Sequence, residues 1–314
     1  MSKKLDGTSL DALSRSLYAR TDLASAEVTA LLCNAAGNLI TATKLIDNLG
    51  AAQGLKFVDG KPRISSMPYT YDIAEGNVSG HQGWSKIGFC ATVGVTRIDV
   101  APWMVKEYVF PTTTSTMTIV SSNANDNATG SGARIVTVYY LTEGFVAKTA
   151  TVTLLGLTAT TIALDMFRVN NCRISTCGVS NSTIGNLTIA SGGVTYGYIS
   201  AGRTRMRQCV WTVPTNTTLY VTQIAFSSAD QNPSKPGGIR FTTKANFDNL
   251  SGQILQRGLF MPYNEVVLYN SAYIRELNPP TKLGATVDLK VAAESLVADT
   301  GDVTCSLRGW TEPS

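Results

Sequence analysis

Two runs near the carboxyl terminus, Thr286-Val-Asp-Leu-Lys-Val291 and Val303-Thr-Cys-Ser-Leu-Arg-Gly309, decide the fold class. In each run apolar and polar residues alternate, and in the first run Asp288 and Lys290 occupy the polar positions. A period of two is the signature of a β-strand with one face buried and the other in solvent. We therefore predict that the two runs form a closing pair of half-buried antiparallel strands.

The strand pattern also extends towards the amino terminus. Ile135-Val-Thr-Val-Tyr-Tyr-Leu141 is rich in the β-branched and aromatic residues that favour strands. Turn clusters such as Gly192-Gly193 and Asn232-Pro-Ser-Lys-Pro-Gly-Gly238 separate the candidate strands. Many short strands with turn signals about every eight to twelve residues are typical of a β-sandwich or a jelly roll. The other runs predicted as strands are 145–154, 161–169, 183–190, 194–200, 207–213 and 219–226.

The first 62 residues follow a different pattern. Leu10, Leu13 and Leu17 recur at the spacing of one helix face. Val28–Cys33 and residues 38–43 flank Asn-Ala-Ala-Gly, which fits either a hairpin or a continuing helix, and the glycine favours the hairpin. So short a segment has little core of its own, which indicates a candidate attachment arm.

These patterns together predict an all-β, antiparallel protein with a sandwich or jelly-roll-like fold. We predict two parts: an attachment arm over residues 1–62, containing a helix and a hairpin, and a β-sandwich domain over residues 63–314. The second part is long enough for one sandwich or for two smaller ones.

Composition narrows the classes of function. Charged residues make up 15% of the 314 residues, below the usual quarter, and the net charge is +4. This charge is too small to predict direct nucleic-acid binding. Arg203, Arg205 and Arg207 alternate in a predicted strand, and we interpret them as a solvated or subunit-contacting face. We expect no signal peptide and no membrane span, and therefore free thiols in a reducing cytoplasm.

Residues that could carry chemistry are few. Any histidine-dependent nucleophile would need His81, the sole histidine, which we interpret as a loop residue packed against an aromatic ring or a carbonyl. The loop Ser121–Gly132 carries one carboxylate, Asp126, and is predicted as a flexible hairpin loop instead of a calcium site. We expect no enzyme, no metal and no cofactor. The carboxylates that a glycosidase could use are scattered: Asp72, Glu75, Glu143, Asp165, Asp230 and Glu265.

Four aromatic residues precede the long strands: Tyr69, Tyr71, Trp84 and Trp103. Rings of this kind stack on sugars in carbohydrate-binding modules, and they are also enriched at subunit interfaces. We favour a subunit interface and keep glycan contact as the alternative.

Several stretches, taken in order, resemble structural virion proteins of tailed bacteriophages over about residues 72–310. They are Ser79-Gly-His-Gln-Gly-Trp-Ser-Lys-Ile-Gly88, Phe110-Pro111, Thr129-Gly-Ser-Gly-Ala-Arg134, Val152-Thr-Leu-Leu-Gly-Leu-Thr-Ala159, Trp211-Thr-Val-Pro214, Thr218-Leu-Tyr220, Val287-Asp-Leu-Lys-Val-Ala-Ala-Glu-Ser295 and Gly309-Trp310. The resemblance implies a capsid-decoration, collar or fibre component that is located in the virion and assembled in the host cytoplasm. It implies no active site.

From the residues and the resemblance together we expect contacts with other virion proteins of the capsid, neck or tail, and a homo-oligomer, with a trimer favoured. The alternatives are a tail protein that binds a host glycan, and a carbohydrate depolymerase.

Overall fold

The computed structural model describes residues 69–103, 107–230, 237–246, 265–297 and 301–314, and the backbone of five short strands in the first 62 residues. Strands account for 60% of the residues and helix for 3%, and the described sheets are antiparallel. The predicted all-β, antiparallel class is therefore confirmed. The sheets have a propeller-like arrangement instead of that of a clear jelly roll.

The chain divides into two compact units, Met1–Pro68 and Tyr69–Ser314, a few residues beyond the predicted boundary at residue 62. In the first unit the predicted hairpin is confirmed, since its first two strands pair antiparallel from Val28 opposite Lys44 to Cys33 opposite Leu39. The predicted helix with Leu10, Leu13 and Leu17 lies outside the described residues. The strands of this unit are β1 (Val28–Cys33), β2 (Leu39–Ile46), β3 (Ala52–Gln53), β4 (Phe57–Val58) and β5 (Lys61–Pro62).

The second unit begins with a short helix, and strands follow it. Its elements are α1 (Tyr69–Ala74), β6 (Gln82–Val93), β7 (Ile98–Asp99), β8 (Ser115–Ser121), β9 (Ala133–Leu141), β10 (Ala147–Thr153), β11 (Thr160–Met166), β12 (Arg168–Cys177), β13 (Leu187–Ser191), β14 (Val194–Ile199), β15 (Val210–Thr212), β16 (Thr217–Asp230), β17 (Ile239–Asn246), β18 (Glu265–Leu268), β19 (Ala272–Leu283), β20 (Asp288–Ser295) and β21 (Gly301–Pro313).

Two sheets from the middle of the chain enclose one core. Their strand orders are β10-β9-β12 and β11-β8-β13-β14. Met117 and Ile189 from one sheet and Val136 and Val138 from the other are fully enclosed in that core. We call these two sheets the middle sheet pair.

Two further sheets, built mostly from the second half of the chain, enclose a larger core. Their orders are β15-β20-β17-β18, with β7 beside β20, and β19-β16-β21-β6. Phe226 and Phe241 stack across this core with ring centroids 4.8 Å apart, and Val291 and Leu307 are buried beside them. We call these sheets the terminal sheet pair.

The predicted closing pair of half-buried strands is wrong in two respects. β20 and β21 lie in different sheets, where β20 pairs with β17 and β21 pairs with β16. β21 is half-buried as predicted, but β20 is buried on both faces, because Asp288 and Lys290 are each only 1% exposed. The charges tolerate this burial because Asp288 is paired with Arg168 and Lys290 with Asp99.

Two other predictions need correction. The predicted strand 161–169 is two strands, since β11 ends at Met166 and β12 starts at Arg168. Ser121–Gly132 is not a hairpin loop, because β8 and β9, which it joins, belong to different sheets. Its Asp126 is fully buried and accepts hydrogen bonds from the Ser121 hydroxyl and from three backbone N–H groups. Asp126 therefore fastens the loop to the middle sheet pair.

Candidate functional site

A surface groove of about 330 Å³ lies between α1 and the outer face of β6 and β21. This volume is at the lower end of the range for small-molecule sites. Its wall is one side of α1, and its floor is the strand pair. The lining residues are Thr70, Ile73, Ala74, Gly83, Trp84, Ser85, Thr222, Arg308, Gly309 and Trp310.

Glycines shape the floor of the groove. In the register of β6 and β21, Trp310 lies opposite Gly83 and Gly309 lies opposite Trp84. A side chain added at Gly309 would overlap the carbonyl oxygen of Tyr220, so only glycine lets β16 approach this closely. A side chain at Gly83 would meet open space. The floor beside Trp310 is therefore open.

Aromatic rings fix the position of Trp310. Its indole stacks on Tyr220 with centroids 5.2 Å apart, and the ring of Tyr69 meets it edge-on at 5.6 Å. Its Nε1 is enclosed and has no hydrogen-bond partner among the described residues. The indole is thus held by packing alone, with Arg308 exposed beside it in the groove.

His81 joins α1 to the carboxyl-terminal strand at the edge of this site. Its Nδ1 lies 2.9 Å from the carbonyl oxygen of Ser79, and its Nε2 lies 2.8 Å from the Tyr69 hydroxyl and 3.0 Å from Glu312. A carbonyl oxygen only accepts, so Nδ1 carries a proton. The second nitrogen then accepts from Tyr69 in the neutral ring or donates to Glu312 in the charged ring. This geometry matches the predicted loop histidine packed against an aromatic ring and a carbonyl.

The two tyrosines of the site remain protonated at neutral pH. Burial, and then the negative charge of Glu312, raises the pKa of Tyr69. Burial and a hydrogen bond with Glu312 raise the pKa of Tyr220. Both phenols are therefore hydrogen-bond donors and not bases. The site suits a small polar ligand that has a flat apolar face.

The structure brings two of the four predicted aromatic contacts to this site. Trp84 lines the groove and also packs on Trp211, and Tyr69 holds Trp310. Tyr71 is on α1 and is 59% exposed, but it does not line the groove. Trp103 lies elsewhere, stacked on Tyr198 of β14.

Three lining residues were not predicted from the sequence patterns: Arg308, Trp310 and Thr222. The alternation of β21 continues through Gly309 and would have placed Arg308 and Trp310 together on the outer face. Thr222 gave no such signal, since it lies at a β-bulge between Val221 and Gln223.

A second polar cluster lies buried between the two sheet pairs, at Arg168. Its guanidinium group makes a two-pronged contact with Asp288, in which Nε lies 3.1 Å from Oδ1 and Nη2 lies 3.1 Å from Oδ2. It also donates to the carbonyl oxygens of Pro111 and Phe167. Its central carbon, Cζ, lies 3.9 Å from the centroid of the Phe167 ring. Arg168 belongs to the middle sheet pair and Asp288 to the terminal sheet pair. Burial raises the pKa of Asp288, and Arg168 opposes that rise.

Two further contacts cross the same boundary. Asn170 donates to the carbonyl oxygen of Thr212 at 2.8 Å and accepts from the amide of Thr212 at 2.9 Å. Lys86 donates to the carbonyl oxygen of Asn170. Burial lowers the pKa of Lys86 to about 8. We call Lys86, Arg168, Asn170, Thr212 and Asp288 the polar junction.

The remaining chemical candidates do not line the groove. Cys90, Cys172, Cys177, Cys209 and Cys305 are free thiols. The described residues contain no group of three or more histidine, cysteine, aspartate or glutamate side chains placed to hold a metal ion. Asp165 pairs with Lys148 in an exposed contact. The predicted strand over 207–213 shortens to β15, so Arg203, Arg205 and Arg207 precede it.

Comparison with known proteins adds no family. No family model and no curated protein matches this chain. Among solved structures, the crystal structure of the infectious bursal disease virus VP2 subviral particle aligns with 79% of this chain and 82% of that chain, at 10% identity and a TM-score of 0.13. A likeness at this level carries no argument about fold or function. Within the described ranges, no helix has the length and apolar character needed to cross a membrane.

Proposed function

We propose that this chain is a non-enzymatic structural protein of a tailed-phage virion, an oligomeric capsid-decoration, collar or fibre component. Residues 1–62 attach it to the capsid, neck or tail, and the sheet pairs form the presented body. It is assembled in the host cytoplasm and contacts other virion proteins.

The polar junction is the observation that supports this proposal best. Four of the stretches that resemble phage virion proteins meet there. Lys86 comes from the first stretch, Pro111 from the second, Thr212 from the fifth and Asp288 from the seventh. Stretches that are far apart in sequence thus share one structural task, which is to hold the two sheet pairs together. A shared architecture explains why the order of these stretches resembles that of the virion proteins.

The finer fold belongs to the same proposal. Each sheet pair encloses its own core, so we assign each as a small sandwich, two in the described part of residues 63–314. Copies of the body associate through apolar side chains that the single chain leaves exposed, and we favour a trimer. Val179 and Leu164, which are 87% and 73% exposed, are examples of such side chains.

Gradient-purified particles test the proposed location. Mass spectrometry should find the protein at a fixed number of copies per particle, and density for the two sheet pairs should be visible in electron cryomicroscopy of the virion. The protein remaining in the soluble lysate, and being absent from purified particles, would contradict the proposal.

The attachment arm has its own test. Replacing Leu10, Leu13 and Leu17 together with serine should lower incorporation into particles about tenfold or more. The control replaces three exposed polar residues of the body, Thr149, Thr151 and Thr153, with alanine and should leave incorporation unchanged. Equal incorporation of both variants would show that the arm does not attach the protein.

A second candidate function is glycan recognition in the groove, which the pairing of Trp310 with the exposed Arg308 favours. In this case Arg308→Gln should abolish binding on a glycan array, while Trp103→Leu, which changes a ring outside the groove, should not. A wild-type protein that binds no glycan on the array would exclude this function.

A further inference from the structure

Residues 204–206 lie beside β12 and join it through an isolated bridge. Arg205 forms an antiparallel bridge with Arg173, and the amide of Ile174 donates to the carbonyl oxygen of Thr204 at 2.8 Å. Residues opposite one another in an antiparallel bridge share a face, and so do residues two apart in an extended strand. Arg173 and Arg205 therefore lie on one face of the sheet β10-β9-β12, and Arg207 lies close enough to Arg203 and Arg205 to be repelled by both. We call these four arginines the arginine face.

The positive charge of the arginine face is not neutralised by the protein. Across the described ranges, none of the four guanidinium groups has a carboxylate partner or a hydrogen-bond acceptor, and three of the arginines are exposed. Burial, and then repulsion from Arg203 and Arg205, lowers the pKa of Arg207. Like charges held this close together cost free energy that a bound anion would recover.

The spacing of the arginines favours a ligand with repeated charges. Arginines two residues apart along residues 203–207 are separated by about 6.6 Å, and neighbouring strands by about 4.8 Å. A single small anion can contact only part of such a grid. A chain with regularly placed anionic groups can contact all of it.

Hydroxyl groups continue the arginine face across the sheet. Cross-strand pairing aligns Thr151, Thr137, Arg173 and Arg205 in one row over four strands, in which Thr137 is buried and its hydroxyl is hydrogen-bonded to Ser175. Thr151 is exposed, and so is Thr149 in the neighbouring row. Exposed hydroxyls both donate and accept, which suits the hydroxyl groups of a sugar.

We propose that the arginine face binds an acidic polysaccharide, with sugar carboxylates on the guanidinium groups and sugar hydroxyls on the threonines. Single-stranded nucleic acid fits less well, because it needs open aromatic rings for base stacking. The ring of Tyr139 on this face is covered by the guanidinium group of Arg173, 5.4 Å from its centroid. This inference does not rest on the proposed place in a virion.

Calorimetric titration of the full chain with polygalacturonate oligosaccharides at low salt tests the inference. We expect saturable binding that weakens as salt is added, and no binding of neutral dextran. Arg203→Gln with Arg205→Gln should weaken binding about tenfold or more, because each removes a charge-assisted hydrogen bond. The matched control, Lys148→Gln with Arg240→Gln, removes two positive charges elsewhere and should change affinity less than about twofold.

Titrations with two other polyanions decide the identity of the ligand. Polyglutamate and duplex DNA carry comparable negative charge without sugar carboxylates, and each should bind at least about tenfold more weakly than polygalacturonate. Absence of polygalacturonate binding would overturn the inference, and so would equal weakening by the two double variants. Binding of polyglutamate or DNA as tight as that of polygalacturonate would replace it with a protein-binding or nucleic-acid-binding surface.

Discussion

Replacing Arg168 with methionine should destabilise the protein by about 4 kcal/mol. Arg168 and Asp288 are both 1% exposed, so the substitution leaves a carboxylate buried without its main partner. The carbonyl oxygens of Pro111 and Phe167 lose their donor as well. Removing one member of a buried ion pair costs about 3–5 kcal/mol. Methionine keeps apolar contact with the Phe167 ring, which places the expected loss inside that range.

Chemical denaturation of the full chain, followed by tryptophan fluorescence, measures this loss in a double-mutant cycle. Asp288→Asn alone leaves the Arg168 charge without its partner, whereas the double variant leaves no unpaired charge. The double variant should therefore be more stable than the sum of the two single losses predicts, by about 1–3 kcal/mol. The matched control is Arg240→Met, whose pair with Glu294 is partly exposed and should cost less than about 1 kcal/mol.

The pH dependence gives a second measurement of the same pair. Burial raises the pKa of Asp288, and loss of Arg168 should raise it further. A carboxyl group with a raised folded-state pKa binds its proton more readily in the folded chain, so stability is lost as pH rises through that pKa. The Arg168→Met variant should therefore regain stability, relative to wild type, as pH falls from about 7 to 5. A loss below about 1 kcal/mol, or a penalty that does not change with pH, would refute the reasoning.

Three other substitutions test separate features. Gly309→Ala should lower the melting temperature, because a side chain there overlaps the carbonyl oxygen of Tyr220. The control Gly83→Ala places its side chain in open space and should not lower it. Equal melting temperatures of the two variants would contradict the close approach of β16 to Gly309. Burial holds the pKa of Lys86 at about 8 in the folded chain, whereas the unfolded lysine keeps its proton up to about pH 10.5. The stability of wild type relative to Lys86→Met should therefore rise by about 3 kcal/mol between about pH 8 and 10.5, as measured by urea titration. A stability difference that does not change with pH would disprove this. Asp126→Ala removes the acceptor of three backbone N–H groups and should speed amide exchange at Ala133, Ile184 and Gly185 but not in the terminal sheet pair.

Two local signals predicted the fold class: the alternation of polar and apolar residues in β21, and the β-branched and aromatic residues of β9. The alternation misled for β20. A period of two shows that the two faces of a strand differ in polarity, but it does not show that the polar face is exposed to solvent. Asp288 can be buried because it pairs with Arg168, which lies 120 residues earlier in the chain. Lys290 can be buried because it pairs with Asp99, which lies 191 residues earlier. No local window of sequence contains these pairings.

The candidate site was predictable in part. The sequence predicts Tyr69 and Trp84 as interface or glycan contacts, and the structure places Trp84 in the lining of the groove and Tyr69 against Trp310. The role of Trp310 depends on a register that joins residues more than 200 positions apart, since it lies opposite Gly83. Trp103 is also a tryptophan that precedes the long strands, yet it lies outside the groove and packs on Tyr198 of β14. Residue type therefore indicated aromatic contact, and long-range pairing decided which rings meet.

The polar junction also explains how two separate cores behave as one body. Apolar contact has no direction, so two sheet pairs joined only by apolar side chains could slide over one another. Hydrogen bonds have direction, and Asn170 binds the backbone of Thr212 through both its donor and its acceptor. Buried charge contributes little net stability, since desolvation offsets the attraction between Arg168 and Asp288. The junction therefore gains its value from fixing the angle between the sheet pairs.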